Sequence, residues 1–453
     1  MLHGREAGHD ATGLAAGNTA TIAILLLAAI VRGAALVALF GQLQADPDAY
    51  REIAENLLVH GSYALDLPAH GAGDTAGGAY KSTAYRPPLY PLLLAAVNLG
   101  GGEVSLVRVA LLQWLLGLAT VWLTLQVGRR LQLGWGAYVA ALVVTCDPIL
   151  LNQSSLVMTE TLATLLAVAA IYAWLRLLEK PCMTSAIALG AVLGLAGLCR
   201  PTFLPWAAML LVLLTLVRHA TTIDQTWRAR LTLSGTVAVT VALVLSPWIV
   251  RNQLVFGKPI VTTTHGGYTL LLGNNPSYYR YLQDGKSSLP WPADDPDFQQ
   301  LLPQPAPPLA DELAYDAATK QLAHDAIRAQ PTMFVRASLD RAAQFWSPLP
   351  HRTSENESRA RTLLRYATCV WYVLVYAATI AGLVRLRGRL WSAAWLGALL
   401  LCVGFTLMHL VYWSNLRMRA PVTPVVALLA GVGVASLAGR QKLPLSGSDR
   451  LDG

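Results

Sequence analysis

Residues 19–40 of the chain read TATIAILLLAAIVRGAALVALF, and residues 46–50, which follow shortly after, read DPDAY. The first stretch holds about 22 mostly apolar residues, enough for one helix to cross a bilayer. The second presents two carboxylates, Asp46 and Asp48, where the chain would leave the membrane. The sequence therefore predicts a membrane protein with an acidic site at the membrane surface.

The composition of the whole chain supports this prediction. Its 453 residues are 54% hydrophobic and only 13% charged, and the mean hydropathy is +0.45. A soluble domain carries roughly 25% charged residues, so most of this chain is expected to contact lipid. The net charge of +8 is interpreted as the inside-positive bias of membrane proteins and not as a nucleic-acid-binding surface.

Apolar segments of nearly spanning length recur along the chain. We predict an all-α polytopic membrane protein, a bundle of about ten transmembrane helices. With the amino end in the cytoplasm, most Lys and Arg residues of the short loops fall inside, as the orientation rule requires. The predicted spans are 19–41, 104–127, 136–152, 156–178, 184–200, 201–218, 231–250, 363–384, 391–413 and 420–438.

Two long polar segments, about 42–103 and 251–362, fall on the outer face in this topology. The first is predicted to carry short amphipathic helices at 50–60 and 89–97, and the second a helix over about 310–345 broken at Pro331. The stretches Gly266-Gly267-Tyr268 and Gly273-Asn274-Asn275-Pro276 are turn signals. The predicted organisation is a cytoplasmic segment 1–18, an N-terminal transmembrane module 19–250 with outer loop 42–103, an outer region 251–362, C-terminal transmembrane helices 363–438 and a cytoplasmic tail 439–453.

Three carboxylates are candidates for chemistry. Asp46 and Asp48 could supply a general base with a tuning partner, or they could bind a divalent cation. They could equally cap the helix that follows, since Asp is favoured at that position. Glu160 begins an otherwise apolar span, where a carboxylate is costly unless it is paired or near the surface.

Several arginines are candidates for binding phosphate. Arg86 stands in Tyr85-Arg86-Pro87-Pro88, where the prolines stiffen the backbone that displays its guanidinium. The planar fork of arginine suits phosphate, although Arg86 could also snorkel to lipid headgroups. Four further arginines lie at outer span ends, where the orientation rule disfavours them, and this predicts a shared phosphate site. They are Arg200, Arg251, Arg417 and Arg419. One or two of them could instead contact anionic lipids.

Hydroxyl and amide groups in the second polar segment could bind a sugar. Tyr268, Asn274 and Asn275 are the candidates, although Asn and Gly near a turn can also serve the backbone alone. The nine histidines show no metal-ligand spacing, and His265 and His409 are isolated. No metal and no cofactor are therefore expected, apart from the cation left open at Asp46 and Asp48.

Seven short motifs follow one another in a specific order. In that order they resemble the bacterial membrane glycosyltransferases of the GT-C superfamily, relatives of protein O-mannosyltransferases and of the lipid A aminoarabinose transferase. The resembling stretches run through most of the chain. They are Asp46-x-x-x-Tyr50, Tyr85-Arg86-Pro87-Pro88, Met158-Thr159-Glu160, Arg200-Pro201, Ser246-Pro247-Trp248-x-x-Arg251-Asn252, Gly267-Tyr268 to Gly273-Asn274-Asn275-Pro276, and Arg417-x-Arg419-x-Pro421.

The resemblance implies a polyprenyl-phosphate-linked sugar donor and transfer on the outer face of the bacterial inner membrane. It implies that Asp46, by its spacing to Tyr50, holds the catalytic position. Many relatives have Glu directly after it, where this chain has Pro47, so Asp46 and Asp48 both stay candidate bases. The envelope acceptor could be a lipid, a glycan or a protein. Besides the arginines, the candidate sugar- or acceptor-binding residues are Tyr50, Tyr85, Glu160, Tyr268, Asn274 and Asn275.

The expected reaction is an inverting transfer of a hexose or pentose. A carboxylate would take the acceptor proton, and the arginines would stabilise the phosphate that leaves. A transporter or flippase of a lipid-linked sugar is the alternative, but transporters place substrate near the midplane, often between repeated halves. A polymerase or ligase using a diphosphate carrier and a non-catalytic scaffold are further alternatives. Membrane lipids are expected partners, and nucleic acids are not.

Overall fold

The computed structural model describes residues 6–67, 79–216, 226–285, 289–309, 311–352 and 354–438, with side chains from residue 18 onward. The predicted tail 439–453 lies outside these residues. Helices dominate, and one antiparallel hairpin pairs strands β1 (Ala64–Asp66) and β2 (Tyr80–Ser82), with Leu65 opposite Lys81. The helices are α1 Glu6–Ala38, α2 Tyr50–His60, α3 Leu89–Val97, α4 Leu106–Arg130, α5 Gly136–Cys146, α6 Pro148–Gln153, α7 Glu160–Glu179, α8 Met183–Cys199, α9 Phe203–Leu216, α10 Trp227–Phe256, α11 Gly266–Gly273, α12 Pro276–Gln283, α13 Pro296–Leu301, α14 Glu312–Ala329, α15 Pro331–Trp346, α16 Arg359–Leu386, α17 Ala393–Val411 and α18 Thr423–Leu437, with 3₁₀ turns at Phe40–Gln44 and Leu416–Val422.

The predicted polytopic helical bundle is confirmed. In the described residues, seven helical stretches are long and apolar enough to cross a membrane, and α5, α8 and α9 are shorter apolar helices. Together they account for all ten predicted segments. The seven are Asn18–Ala38, Leu106–Arg130, Glu160–Glu179, Trp227–Phe256, Arg359–Leu386, Ala393–Val411 and Leu416–Leu437.

Burial divides these helices into an inner and an outer set. The most hydrophobic window of α7 is 78% buried within the protein, whereas that of α1 is 17% buried. On α1, Ile22, Leu26 and Ile30 are 59%, 59% and 68% exposed, and their spacing places them on one face. Such an apolar stripe is stable only against lipid, so the chain is an integral membrane protein.

Glycines allow the innermost helices to approach closely. A Cβ added at Gly382 of α16 would lie 2.0 Å from the Leu429 carbonyl oxygen of α18. One added at Gly433 of α18 would lie 1.9 Å from the Ala378 carbonyl oxygen. Small residues at such crossings are typical of membrane bundles, where van der Waals packing provides much of the association energy.

Both polar segments lie on the same side of the bundle, because successive spans alternate in direction from the end of α1. We call this side, formed by the described parts of residues 39–105 and 257–358, the loop face. The predicted helices at 50–60 and 89–97 are confirmed as α2 and α3, and the helix predicted near 310–345 is divided at Pro331 into α14 and α15.

The second polar segment is more ordered than the sequence suggested. Its helices α11 to α15 enclose a hydrophobic core of their own, in which Trp291 packs edge-on against Phe298 at 5.2 Å between ring centres. Trp413, just after α17, joins this core at 5.8 Å from Trp291. The segment is thereby attached to the transmembrane bundle through its own aromatic residues.

The prediction of a turn at 266–268 was wrong, because these residues form the start of α11. The glycine signal there reflects close packing and not a reversal of the chain. A Cβ on Gly267 would lie 2.1 Å from the backbone oxygen of Asp316 in α14, and the Gly267 amide donates to the Asp316 carboxylate at 2.6 Å.

Replacing Gly267 by Ala is therefore expected to separate α11 from α14. Overpacking costs about 1–3 kcal/mol, and the upper end applies because the obstacle is backbone. The measurement is the thermal unfolding midpoint in detergent. Gly235→Ala is the control, since a Cβ there meets nothing within 4 Å in α10 and should leave the midpoint equal or higher. Equal midpoints for the two variants would contradict the close approach.

One carboxylate joins the two polar segments. Glu312, at the start of α14, accepts hydrogen bonds from the Thr83 hydroxyl and the Ala84 amide, both at 2.7 Å. Its side chain is buried, and burial raises the pKa of Glu312 against the opposing effect of these bonds. The backbone just before Arg86 is thus secured by a residue far along the chain.

Candidate functional site

A cavity of about 510 Å³ opens on the loop face. Its walls come from the α1–α2 connection, the turn at 85–87, the start of α7, the α8–α9 junction, residues 262–272 and the end of α17 with the turn after it. Five charged side chains from these separate elements line it. They are Asp48, Arg86, Glu160, Arg200 and Arg417.

Asp48 and Arg86 form an ion pair in the wall of the cavity. The Arg86 Nη2 donates to the Asp48 Oδ1 at 2.6 Å, and its Nε donates to the Asp48 backbone oxygen at 3.0 Å. The two side chains are 20% and 13% exposed, so both stay in contact with the cavity. The Arg86 guanidinium also lies 4.3 Å from the Tyr85 ring centre. This cation–π contact with Tyr85 fixes the plane of the Arg86 guanidinium.

The placement predicted for Asp46 is corrected by the structure. Its carboxylate accepts hydrogen bonds from the amides of Tyr50, Arg51 and Glu52 at 2.9, 2.9 and 3.1 Å, at the start of α2. Burial raises the pKa of Asp46, and these amide bonds oppose the rise. Of the two aspartates, Asp48 lines the cavity, and Asp46 has the capping geometry that the sequence left open.

Glu160 lies between two arginines that also line the cavity. Its side chain is fully buried, and its Oε1 is 3.6 Å from Arg200 Nη2 and 3.7 Å from Arg417 Nε. Neither Glu160 oxygen has a hydrogen-bond partner, and neither do Arg200 Nη1 and Arg417 Nε. The predicted phosphate-binding residues Arg200 and Arg417 therefore meet, as expected, and they keep donors available.

The other two predicted phosphate ligands lie elsewhere. Arg251 donates to the backbone oxygens of Thr83 and Tyr63 at 2.8 and 2.9 Å. Arg419 is buried, donates to the Ser347 backbone oxygen at 2.5 Å and lies 3.9 Å from the Tyr372 ring centre. Both arginines tie backbone segments together beside the cavity, and neither of them lines it.

The predicted sugar-binding asparagines are also corrected. The Asn274 amide donates to the backbone oxygens of Leu270 and Val411 at 2.9 and 2.8 Å. The Asn275 side chain accepts from the Tyr278 amide at 2.8 Å and caps α12. Both side chains are fully buried and serve the backbone, which is the alternative that the sequence allowed.

Aromatic side chains line the part of the cavity next to Arg86. Tyr50, Tyr85 and Tyr268 all contact it, as predicted, and burial raises the pKa of Tyr85 and of Tyr268. His265 was interpreted as an isolated residue, yet its ring lies 4.5 Å from Tyr85 and 5.0 Å from Tyr268 between ring centres. Tyr412 and Trp413 complete this aromatic wall. Nothing in the sequence pairs residues so far apart.

The aromatic setting of His265 predicts a pH effect. Burial and the nearby Arg86 charge lower the pKa of His265 well below its usual value of 6.5. Below pH 6.5 the unfolded chain therefore binds a proton on His265 that the folded chain does not bind. Stability is fully present above pH 6.5 and is lost as pH falls further, by up to about 1.4 kcal/mol per pH unit. Thermal unfolding between pH 7.5 and 5 measures this.

His265→Gln should flatten that pH dependence. His60→Gln is the matched control, because His60 is exposed at the end of α2 and its loss should leave the slope unchanged. An unchanged slope in His265→Gln would show that other groups carry the effect.

The carboxylates do not form an evident metal site. Nowhere in the described ranges do three or more His, Cys, Asp or Glu side chains converge as metal ligands would. A cation at Asp46 and Asp48 would have to displace the amide and guanidinium donors that their oxygens already accept.

Comparisons with known proteins find one family model and several solved structures that are similar to this chain. Residues 85–250 match the family model described as dolichyl-phosphate-mannose-protein mannosyltransferase. The fold resembles the oligosaccharyltransferase AglB of Archaeoglobus fulgidus, solved with an inhibitory peptide and a dolichol-phosphate, at a TM-score of 0.51 and 12% identity over 93% of this chain. Residues 85–250 thus resemble this mannosyltransferase family, and the fold of the chain resembles that of the archaeal enzyme.

Two further solved structures are similar to this chain. The apo form of the same archaeal enzyme gives a TM-score of 0.52 at 12% identity and 93% coverage. The chain spans about half the length of these archaeal proteins, 50% and 51%. ArnT of Cupriavidus metallidurans bound to undecaprenyl phosphate matches 90% of this chain and 78% of its own, at 17% identity and a TM-score of 0.42. No curated protein sequence matches.

Proposed function

We propose that this protein is an inverting glycosyltransferase of the GT-C type that moves a monosaccharide from a polyprenyl-phosphate carrier to an envelope acceptor. The observation that carries the proposal is the convergence of Asp48, Arg86, Glu160, Arg200 and Arg417 on one cavity at the membrane edge. A lipid-linked donor has its tail in the bilayer, its phosphate at the interface and its sugar in water. The walls of the cavity include the ends of α7, α8 and α17, where such a phosphate is expected to lie.

The proposed reaction is a single displacement. The acceptor oxygen forms a bond to the anomeric carbon while the bond from that carbon to the phosphate oxygen breaks. Asp48 takes the acceptor proton, because it is the aspartate that lines the cavity. The leaving group is polyprenyl phosphate, and Arg200 and Arg417 stabilise the charge that develops on it. Without a covalent enzyme intermediate, the anomeric carbon is inverted.

The proposed orientation places the loop face outside the bacterial inner membrane. The opposite face carries a concentration of basic residues at span ends, which the orientation rule assigns to the cytoplasm. The first polar segment then serves as the outer catalytic loop. The basic residues of the opposite face include Arg129, Arg130, Arg176, Lys180, Arg228, Arg230, Arg385, Arg387 and Arg389.

The test is mass spectrometry of envelope lipids, glycans and proteins from cells that express the wild-type chain or the Asp48→Asn variant. We expect one class of acceptor to lose the mass of one monosaccharide in the variant, and the sugar-loaded carrier to accumulate. A transporter would instead move the carrier with its sugar still attached. Identical acceptor profiles in cells with the wild-type chain and in cells that lack it would refute the proposal, whereas a wild-type profile in the Asp48→Asn strain would refute only the role of Asp48.

A further inference from the structure

Glu160 is an unusual residue to line a site that binds an anion, because its side chain is a carboxylate. It lines the same cavity as Arg200 and Arg417, and its side chain is fully buried. A buried carboxylate is costly to leave without hydrogen bonds, yet both of its oxygens lack a partner. Its only charged neighbours within 4 Å among the described residues are the two arginines, at 3.6 and 3.7 Å.

The two arginines are also incompletely paired. Arg200 Nη2 reaches the Met418 sulfur at 3.1 Å, and Arg417 Nη1 lies 3.8 Å from the Met158 sulfur. A thioether is a weak acceptor, so these contacts orient the guanidinium groups without neutralising them. Arg200 Nη1 is buried without any partner. Both guanidinium groups can therefore donate to a second anion beside Glu160.

We infer that Glu160 is a positioning residue that competes with the lipid phosphate for Arg200 and Arg417, so that the product can leave. The inference rests on the proposed function. The charged lining consists of three arginines and two carboxylates, a net charge of about +1. A phosphate that enters shares the two arginines with Glu160 and is repelled by its charge. After transfer, Glu160 draws the arginines back from the phosphate of the leaving carrier.

This arrangement serves turnover more than tight binding. Stabilisation that acts equally on bound substrate, transition state and product does not accelerate the reaction, and excess affinity for the product delays its release. Without Glu160, the full charge of both arginines would act on the phosphate. The carrier would then bind more tightly and leave more slowly.

The experiment measures binding of undecaprenyl phosphate to the purified full-length chain in nanodiscs. Glu160→Gln removes the charge and keeps the shape, and we expect binding that is tighter by about 10- to 100-fold, the order expected for removing one like charge several ångströms from the anion. In turnover assays with the sugar-loaded carrier, KM and kcat should both fall. A residue with only a structural role would weaken binding instead.

Glu179→Gln is the matched control. Glu179 lies at the other end of α7 and pairs with Arg130 on the opposite face, so this change also removes a carboxylate from an arginine ion pair. It should leave carrier affinity unchanged. Should Glu160→Gln fail to fold, Glu160→Asp withdraws the charge by one methylene and should tighten binding in the same direction, by less.

The outcomes separate this inference from the function on which it rests. Wild-type protein that binds undecaprenyl phosphate, together with a Glu160→Gln variant that binds it equally or more weakly, would overturn the inference and leave the proposed function standing. Wild-type protein that does not bind undecaprenyl phosphate would overturn both.

Discussion

Replacing Asp48 by Asn is expected to reduce transfer by about 10²–10⁴-fold while the protein stays folded and still binds its lipid carrier. The amide cannot take the proton from the attacking hydroxyl. It keeps the shape of the side chain, so its oxygen can still accept from Arg86, which now pairs with Asp48 at 2.6 Å. The measurement is the initial rate of sugar transfer from a labelled polyprenyl-phosphate donor, with carrier binding measured in parallel.

Two further variants decide what the loss means. Asp46→Asn should retain most activity, because Asn also caps helices well and the side chain is engaged with the amides of α2. Asp297→Asn is the matched control, since Asp297 pairs with Arg280 at 2.7 Å on the same face, with both side chains more than half exposed. If Asp46→Asn were inactive and Asp48→Asn active, the base would be Asp46, the residue that the family resemblance implies.

Replacing Arg200 or Arg417 by Gln should lower kcat by about 10²–10³-fold for each residue. Each supplies charged donors to the phosphate as the bond to the sugar breaks, and Gln supplies neutral ones. Their effects should not add fully, because both arginines act on one group and share Glu160. The single and double variants are compared by initial rates at saturating donor.

The matched control is Arg280→Gln, which removes an exposed arginine from an ion pair on the loop face and should leave kcat unchanged. Arg251→Gln should behave differently from all of these. Arg251 donates to the backbone at Thr83 and Tyr63, so its loss should lower the unfolding temperature more than it lowers kcat. Near-normal kcat in both cavity variants would remove the phosphate role from this pair.

Much of the fold could be predicted from the sequence because membrane helices carry their signal locally. Ten apolar segments became membrane-length or shorter apolar helices, and the amphipathic pattern at 50–60 gave α2 with the predicted bounds. The hairpin of β1 and β2 was missed, since strands of three residues are too short for a periodic pattern. The separate core of α11 to α15 was missed because its aromatic residues meet only in three dimensions.

The site was predictable as a set of residues but not as a geometry. Arg417 and Arg419 stand two positions apart in one 3₁₀ turn, yet the first lines the cavity and the second is buried against Tyr372. Asp46 and Asp48 are divided in the same way, because the turn between them directs one carboxylate to the amides of α2 and the other to Arg86. Side-chain direction at such turns depends on distant neighbours, which spacing along the chain does not reveal.

The Glu312 contacts bear on how the protein matures during synthesis. The residue that secures Thr83 emerges from the ribosome 229 positions after it. The backbone segment before Arg86 therefore lacks its hydrogen bonds to Glu312 while most of the membrane helices are being inserted. A nascent chain can already span the bilayer and still lack the assembled cavity, whose walls are complete only after Arg417 has been synthesised.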